Sequence, residues 1–355
     1  MVLQFIVIKC NISTLICIQL ICVYVRGQNW KVRPAAVAPA GEVWQRMSSK
    51  LMFYILKRVL LAILTIWIVI TLTFFIMHAV PGNPFAGEKA LTAEAQAALE
   101  AKYGLDKPLF EQYTTYLKDL VTKFDFGPSM KLRGRMVMDV IMDGMKTSAK
   151  LGLIAACAAA VLGITLGAVA ALLRNSFLDK VIMVITTAFV SMPSFIMGTF
   201  LLLVFAVKLG LVPANGTTAA GLILPVITLM LYPMAYITRL TRSSMLDVLG
   251  QDYIRTAKAK GVSGVKIIFG HALKNSLIPV ITYFGPMLAY IVTGSLVVER
   301  IFAVPGIGRD FVNSITNRDY PLLMGTTIVL ATLVVIMNLV GDILYKVVDP
   351  RINLE

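Results

Sequence analysis

The chain has 355 residues, of which 58% are apolar and 15% are charged, and its mean hydropathy is +0.80. Soluble domains are nearer to about 45–50% apolar and about 25% charged. The composition therefore excludes an ordinary soluble domain and predicts an all-α integral membrane protein. The net charge of +14 is distributed between apolar segments, so it indicates membrane topology and argues against nucleic-acid binding.

The first fifty residues differ from the rest of the chain. The uncharged run Cys10–Val25 is short for a membrane span and carries several polar side chains. It is compatible with an extra helix, a signal-like segment or an upstream extension, and these alternatives stay open. Residues 26–50 predict a flexible, basic linker. The four cysteines have no metal-ligand spacing and are interpreted as small hydrophobic residues.

Six uncharged segments follow, each long enough to cross about 30 Å of hydrocarbon as a helix. They are Leu60–Met77, Leu151–Leu173, Val181–Val207, Leu209–Thr238, Asn275–Val298 and Tyr320–Gly341. Pro193 and Pro233 predict bends in the third and fourth helices, and Pro213 predicts a loop before the fourth. Gly163 and Gly167 form a GxxxG pattern that predicts a close helix–helix contact.

The lysines and arginines set the orientation of these spans. They concentrate before the first span, between the second and third, between the fourth and fifth, and after the last, which places both ends of the core in the cytoplasm. The long loop on the opposite side predicts an external subdomain with two helices, Ala93–Tyr103 after the cap Thr92, and Lys107–Phe124. The predicted regions are an N-terminal extension (1–50), the first transmembrane helix (51–80), the external subdomain (81–146), the transmembrane core (147–346) with its cytoplasmic loop (239–275), and a cytoplasmic tail (347–355).

The segment Gln251–Val280 is basic and too polar to enter lipid. Apolar residues recur at helical spacing over Leu246–Ala259, which predicts a short amphipathic helix ended by Gly261. The basic residues of this helix lie largely off the apolar stripe; they are Arg255, Lys258 and Lys260. The pattern is compatible with a docking segment for a partner or with a solvated connecting loop.

Several kinds of chemistry find no support in the sequence. No GxxxxGK[ST] motif occurs, so the chain does not bind ATP through a P-loop. His78 and His271 have no metal-ligand spacing and are interpreted as interfacial residues. The middles of the apolar segments carry no charged side chain, which argues against an ion-coupled transporter and against an intramembrane enzyme. The function classes that remain compatible with the sequence are a channel and a transporter subunit driven by another chain.

The 251–280 loop resembles the cytoplasmic signature loop of ABC importer permeases, in the variant of the oligopeptide, dipeptide and nickel permeases. Arg255-Thr256-Ala257 stands where the general family has EAA, Gly261 follows, and His271–Pro279 has the peptide-permease form. The general Leu-Pro is Leu273-Lys274 here, which also points to the peptide and nickel branch. Further similar stretches are Val80–Pro84, Lys102–Pro108, Asp125–Gly127, Ser191–Phe195, Val298–Gly308 and Arg318–Pro321. The resemblance runs from about residue 52 to the C-terminus and is specific to the first-permease (B-type) subunit.

This resemblance implies a type I ABC importer transmembrane domain with six core helices in a bacterial or archaeal cytoplasmic membrane. The chain would be a translocation subunit for peptides, without an ATPase site, cofactor or metal of its own. Its partners would be a second homologous permease, two cytoplasmic ATPase subunits that use ATP and Mg, and an extracytoplasmic solute-binding protein, within membrane lipid and without nucleic acid. An importer of nickel or another small solute is the alternative, and an ion-coupled transporter is less favoured.

The resemblance also implies two sets of functional residues. The ATPase-coupling segment comprises Asp252, Tyr253, Ile254, Arg255, Thr256, Ala257, Lys258, Ala259, Lys260 and Gly261. Within this segment, Tyr253, Ile254 and Ala257 are expected to supply an apolar contact to the ATPase subunit. The basic residues are expected to make polar contacts with it, and Gly261 is expected to allow the turn. The external loop 299–320 and the 81–146 subdomain are expected to receive the binding protein, through Glu299, Arg300, Pro305, Gly306 and Asp319.

Overall fold

The structure is a computed structural model that describes residues 40–81, 84–85 and 93–348. Within these ranges the regular secondary structure is helical, as the composition predicts, apart from one isolated β-bridge between Pro128 and Met136. The helices before the cytoplasmic segment are α1 (Ala40–Ala79), α2 (Ala93–Tyr103), α3 (Leu109–Lys123), α4 (Val137–Leu172), α5 (Phe177–Ser191), α6 (Ser194–Leu201) and α7 (Ile223–Leu249). Those from the cytoplasmic segment onward are α8 (Asp252–Ala259), α9 (Ile278–Val292), α10 (Leu296–Ile301), α11 (Ile307–Asn317) and α12 (Tyr320–Val348).

Short helical pieces connect several of these helices. Helix α6 continues as π-helical turns over Leu202–Lys208, and a 3₁₀ turn, Ala220–Leu222, leads into α7. Between α8 and α9 lie Gly264–Lys266, the π-helical Ile267–Leu273 and Lys274–Ser276. The cytoplasmic loop predicted over 239–275 is therefore mostly helical.

Five described helical segments are long and apolar enough to cross a membrane: Leu56–Ala79, Val137–Leu172, Ala220–Leu249, Ile278–Ile301 and Tyr320–Val340. The pair Phe177–Ser191 and Ser194–Lys208 meets the same test together but is bent by 106°. Counted as one span, this pair gives the six that the sequence predicts. A fully helical backbone satisfies its own polar groups, which lipid cannot do.

The third span is broken, whereas the sequence predicts only a bend. Met192 leaves the helix with extended backbone angles, and Pro193 then starts α6. Proline has no backbone N–H and disfavours helical geometry in the residue before it, so the change of direction falls at Met192. Pro233, in contrast, lies inside the continuous helix α7. Pro213 lies in the non-helical segment before α7, as predicted.

The described residues cluster into two compact units. The first contains residues up to Asp139 together with 313–335. Within it, the Thr71 hydroxyl lies 2.7 Å from the Tyr113 hydroxyl, and the Phe74 and Tyr113 rings are 5.3 Å apart. Val69 packs against Ala331. These contacts join α1 to α3 and to α12 within the first unit.

The second unit contains residues 140–312 and 336–352. Gly163 and Gly167 of α4 lie against α7, where an added Cβ would stand 2.8 Å from the Ile237 side chain and 2.6 Å from the Thr238 carbonyl oxygen. Only glycine allows the two backbones to come this close, which confirms the predicted GxxxG contact. Most of the functional candidates lie in this unit.

Three predicted boundaries differ from the structure. Helix α1 begins at Ala40, so residues 40–50 are not a linker. Helix α4 begins at Val137, inside the region predicted as the external subdomain. The predicted Leu246–Ala259 helix is two helices, because Gln251 is extended between α7 and α8. Charged and polar residues interrupt the apolar pattern near these three boundaries, so the pattern does not show where each helix begins or ends. The two predicted external helices are present, whereas Cys10–Val25 and Thr92 lie outside the described residues.

Candidate functional site

Helix α8 is fixed to its own chain by one apolar side chain. Ile254 is fully buried in a cluster with Met245 of α7, Ala171 of α4, and Ile267 and Ala272 of the following segment. A buried side chain of this size contributes about 1.5–3 kcal/mol through loss of contact with water. The helix is therefore attached to α4 and α7 through a packed core and cannot move freely of them.

The expectation that Ile254 contacts a partner is therefore corrected. Its side chain faces inward, and Ala257 is half-buried against the same cluster. The apolar stripe seen in the sequence packs against the chain itself. Of the three expected apolar contacts, only Tyr253 is exposed, with 43% of its surface accessible.

The outward face of α8 is polar and basic. Arg255 and Asp252 form an exposed ion pair at 3.7 Å, with side-chain exposures of 76% and 98%. The remaining exposed residues of the segment are Thr256, Lys258, Ala259, Lys260 and Gly261. Three cations and one anion give this face a net positive charge, so its chemistry suits an acidic or polar partner surface.

The helix ends in a hydrogen-bonded turn around Gly261. The Gly261 N–H donates to the Lys258 carbonyl at 3.0 Å, and the Val262 N–H donates to the Ala257 carbonyl at 3.2 Å. This pair of bonds is a Schellman motif, which needs a residue with positive φ. Gly261 has φ +75°, and no atom lies within 4 Å of a Cβ built on it. Backbone conformation rather than space requires glycine here, as the sequence predicts.

A second attachment joins α8 to the start of the fifth span. The Asn275 side-chain amide donates to the Tyr253 hydroxyl at 2.9 Å. Both side chains are exposed, so water competes with this bond and its contribution is small. It nevertheless orients the Tyr253 ring on the outward face.

An ion pair joins α7, one of the two helices that hold α8, to α5. Arg242 of α7 donates to both carboxylate oxygens of Asp179 of α5, at 2.6 and 2.8 Å. The Asp179 side chain is 3% exposed and also accepts the Asn175 N–H at 2.9 Å. Removing one partner of such a buried pair costs more than the pair contributes, because the other charge is left unmatched.

Glu299, expected to face a binding protein, is fully buried. Its carboxylate accepts from the Ser148 hydroxyl at 2.8 Å and from the Gly308 and Arg309 N–H groups at 2.9 and 3.2 Å. The Ser295 N–H donates to it as well, at 3.2 Å. Free N–H groups at the start of α11 attract a carboxylate, which explains why an acidic residue is buried here. Glu299 is therefore a structural residue.

Asp319, also expected to face a binding protein, is buried in the other unit. It accepts the hydroxyl of Ser129 and the N–H groups of Met130 and Lys131, at 3.1 and 3.2 Å. At the start of α12 it also accepts the Leu322 N–H at 3.3 Å, as an N-cap residue does. Asp319 thus fixes the loop that precedes α4 to the start of α12.

The other three candidates for contact with a binding protein also differ in burial. Gly306 is buried against Glu299 and Ser148, where any larger side chain would collide with them. Arg300 and Pro305 are exposed and remain candidates for contact with another protein.

The sequence does not reveal the partners of these buried carboxylates. Ser148 and Ser129 carry no motif, and each meets its carboxylate across more than 150 residues of chain. Asp179 had one signal, the Ser176-x-x-Asp179 capping pattern; the Ser176 hydroxyl does accept the Asp179 N–H at 3.2 Å. Arg242 stands out in the sequence only as one of the lysines and arginines that indicate the orientation of the spans.

The fold defines a multi-pass membrane protein in which a short amphipathic helix, α8, joins two of the spans. Residues 163–354 match the family described as binding-protein-dependent transport system inner membrane component, and residues 51–151 match the N-terminal domain of such membrane components. The chain belongs to this family. It is a permease subunit of the cytoplasmic membrane, in an ABC importer system that works with ATPase and binding-protein subunits.

Relatives match over almost their whole length. The dipeptide transport system permease protein DppB of Bacillus subtilis is 48% identical over 303 residues, 85% of this chain and 98% of that protein. The oligopeptide transport system permease proteins OppB of Haemophilus influenzae and Escherichia coli are 47% and 43% identical, over 84% of this chain and 99% of each protein. A solved structure of the MetNI methionine ABC transporter in inward-facing conformations is 20% identical, covering 59% of this chain and 97% of that chain, with a TM-score of 0.49.

Proposed function

We propose that the chain is the translocation subunit of an ATP-driven importer of short peptides. The observation that carries the proposal is identity of 43–48% to permeases named for dipeptide and oligopeptide transport, over 84–85% of the chain. The similarity includes the external region, the spans and the cytoplasmic segment. If the external binding protein selects the cargo, the same membrane subunit could serve importers of different cargo, so the cargo class is tested separately below.

The coupling segment Asp252–Gly261 is proposed to seat in a groove of an ATPase subunit. Its exposed face offers Tyr253 and three basic side chains, and its inner face is anchored through Ile254. A helix held in a groove on one side and packed into α4 and α7 on the other transmits a rigid displacement to the spans. ATP and Mg are proposed to be used by the ATPase subunits and not by this chain.

The working complex is proposed to contain a second homologous permease, two ATPase subunits and an external binding protein. The exposed Arg300 and Pro305 are proposed as one docking site for the loaded binding protein, and the external region 81–146 as another.

Uptake in a deletion strain tests the proposed function. Cells lacking the gene should lose uptake of labelled di- and oligopeptides and keep uptake of free amino acids, and a plasmid copy should restore it. Labelled nickel serves as the competing cargo in the same cells. Loss of nickel uptake with unchanged peptide uptake would replace the peptide proposal with the metal alternative.

A further inference from the structure

One face of α7 is polar along the part of the helix that crosses the membrane. Tyr232 and Tyr236 are 49% and 40% exposed. Toward the cytoplasm the same face continues through three further exposed side chains, Arg239, Ser243 and Asp247. At about 100° per residue, these five positions fall within one narrow stripe of the helix.

The opposite face of α7 is buried inside its own unit. Its inward-facing residues in this part of the helix are Met234, Ala235, Ile237, Thr238, Thr241 and Met245. The close contacts with Gly163 and Gly167 of α4 lie on this inward side. The fold therefore leaves the polar stripe as the outward surface of α7, and a rotation of the helix would break the packing with α4.

A third tyrosine extends the stripe onto the neighbouring span. The ring centroids of Tyr236 and Tyr283 of α9 are 4.3 Å apart, with an angle of 33° between the planes. Tyr283 is half-buried and packs on the cluster that contains Ile237. We call Tyr232, Tyr236 and Tyr283 the tyrosine cluster. Two helices hold its rings, so the surface is preformed.

Tyrosines at the edge of the lipid bilayer do not account for the whole cluster. Arg239 marks the cytoplasmic end of the apolar part of α7, and Tyr236 lies about 4.5 Å along the helix from it, at interfacial depth. Tyr232 lies about 10 Å along the helix from Arg239, within the apolar part of α7. A hydroxyl at that depth facing hydrocarbon would lack a hydrogen-bond partner.

The chain presents apolar faces where lipid contact is expected. Val161 of α4, Val184 of α5 and Leu203 after α6 are 65%, 69% and 52% exposed. None of these positions offers a hydrogen-bonding group. The contrast indicates that the tyrosine face meets something other than lipid.

We propose that the tyrosine cluster, continued by Arg239, lines the passage through which peptide cargo moves toward the cytoplasm; this rests on the proposed peptide function. A phenol hydroxyl can donate a hydrogen bond to a peptide backbone and accept one from it, independently of the side chains that the peptide carries. Aromatic ring faces accommodate apolar and cationic side chains alike. Arg239 can hold a carboxylate at the inner end of the stripe. Such a surface binds peptides weakly and without sequence preference, as a passage requires.

Photo-cross-linking in the assembled transporter tests the proposal. p-Benzoylphenylalanine is placed at position 232 or 236, which keeps an aromatic ring, and at position 161 as the matched control on an exposed apolar face. Cells or proteoliposomes import a biotinylated tripeptide during illumination. Cross-links to the tripeptide are expected from 232 and 236, only with ATP hydrolysis, and suppressed by excess unlabelled peptide; none is expected from 161.

Hydroxyl removal gives a second measurement that does not depend on the photoprobe. Tyr232→Phe and Tyr236→Phe keep the rings, and each should raise the KM for peptide uptake about fivefold, the effect of one lost hydrogen bond. Cross-links that go only to lipid or to the second permease, with uptake by both Phe variants unchanged, would overturn the proposal. Absence of peptide uptake by the unmodified transporter would instead refute the peptide function on which it rests.

Discussion

The segments that the sequence assigns to the cytoplasmic and to the external side use charged side chains in opposite ways. In the segment assigned to the cytoplasm, α8 is anchored by the buried apolar Ile254, and its charged residues are exposed. In the segments assigned to the external side, Glu299 and Asp319, each within its own unit, are buried and accept backbone N–H groups, while Arg300 and Pro305 are exposed. A charged residue in a sequence motif can thus be available for contact with a partner or can stabilise the fold. The exposure of its side chain distinguishes these two roles.

The largest effect is expected at the buried external carboxylate. Glu299→Ala leaves three backbone N–H groups and the Ser148 hydroxyl without their acceptor. The free energy of unfolding should fall by about 4–5 kcal/mol, since each buried unsatisfied donor costs about 1–3 kcal/mol and some regain water. Denaturant titration of the purified complex in detergent micelles measures this change.

The exposed carboxylate Asp252 is the matched control for Glu299. Asp252→Asn should change the free energy of unfolding by no more than about 0.5 kcal/mol, since its side chain is 98% exposed. Equal losses for Glu299→Ala and Asp252→Asn would remove the distinction between the two ends of the molecule.

The second effect concerns the ion pair beneath the cytoplasmic helix. Asp179→Asn keeps the size of the side chain but leaves the Arg242 guanidinium without its anion, and should destabilise the protein by about 3 kcal/mol. The double variant Asp179→Asn with Arg242→Met should recover part of that loss, because no unmatched charge remains. A double-mutant cycle measured by denaturant titration checks this coupling; additive losses would show that the pair is not coupled.

The third effect tests the apolar anchor of α8. Ile254→Ala leaves a cavity in a fully buried cluster and should cost about 2–4 kcal/mol. It should also reduce peptide-stimulated ATP hydrolysis, because α8 is no longer packed firmly against α4 and α7. Val265→Ala, at a residue that is 69% exposed, is the control and should change neither quantity. A normal rate of stimulated hydrolysis in the Ile254 variant would show that the anchor does not carry the coupling.

The smallest effect is expected at the turn after α8. Gly261→Ala places a side chain at φ +75°, which should cost about 1 kcal/mol, while no atom obstructs the new Cβ. Gly264→Ala is the matched control, since Gly264 also has open space around it but no positive φ. A thermal-shift assay of the two variants measures the difference. The prediction fails if both variants have the same melting temperature.

The sequence predicts the membrane spans well because uninterrupted apolar segments leave few alternatives in lipid. It also predicts the close GxxxG contact and the turn at Gly261, since both follow from the absence of a side chain. The family resemblance is confirmed, and it came from motifs in order along the chain. The position of the coupling segment remains a prediction.

The direction of individual side chains was not predictable in the same way. The apolar stripe containing Ile254 is equally compatible with a partner's groove and with the chain's own core. Glu299 and Asp319 lie in polar motifs, and only the long-range contacts with Ser148 and Ser129 reveal that they are buried. Hydrogen bonds between residues more than 150 positions apart produce no periodic pattern in the sequence.

One measurement tests the central claim that the outward face of α8 docks on an ATPase subunit. p-Benzoylphenylalanine is placed at position 258, on that face, and at position 305, on the exposed external surface, and the assembled transporter is illuminated in membrane vesicles. We expect a cross-link from 258 to an ATPase subunit and none from 305 to that subunit. Docking of α8 on the ATPase subunit would be contradicted if position 258 cross-linked only to the external binding protein or to lipid while the transporter still imported peptide.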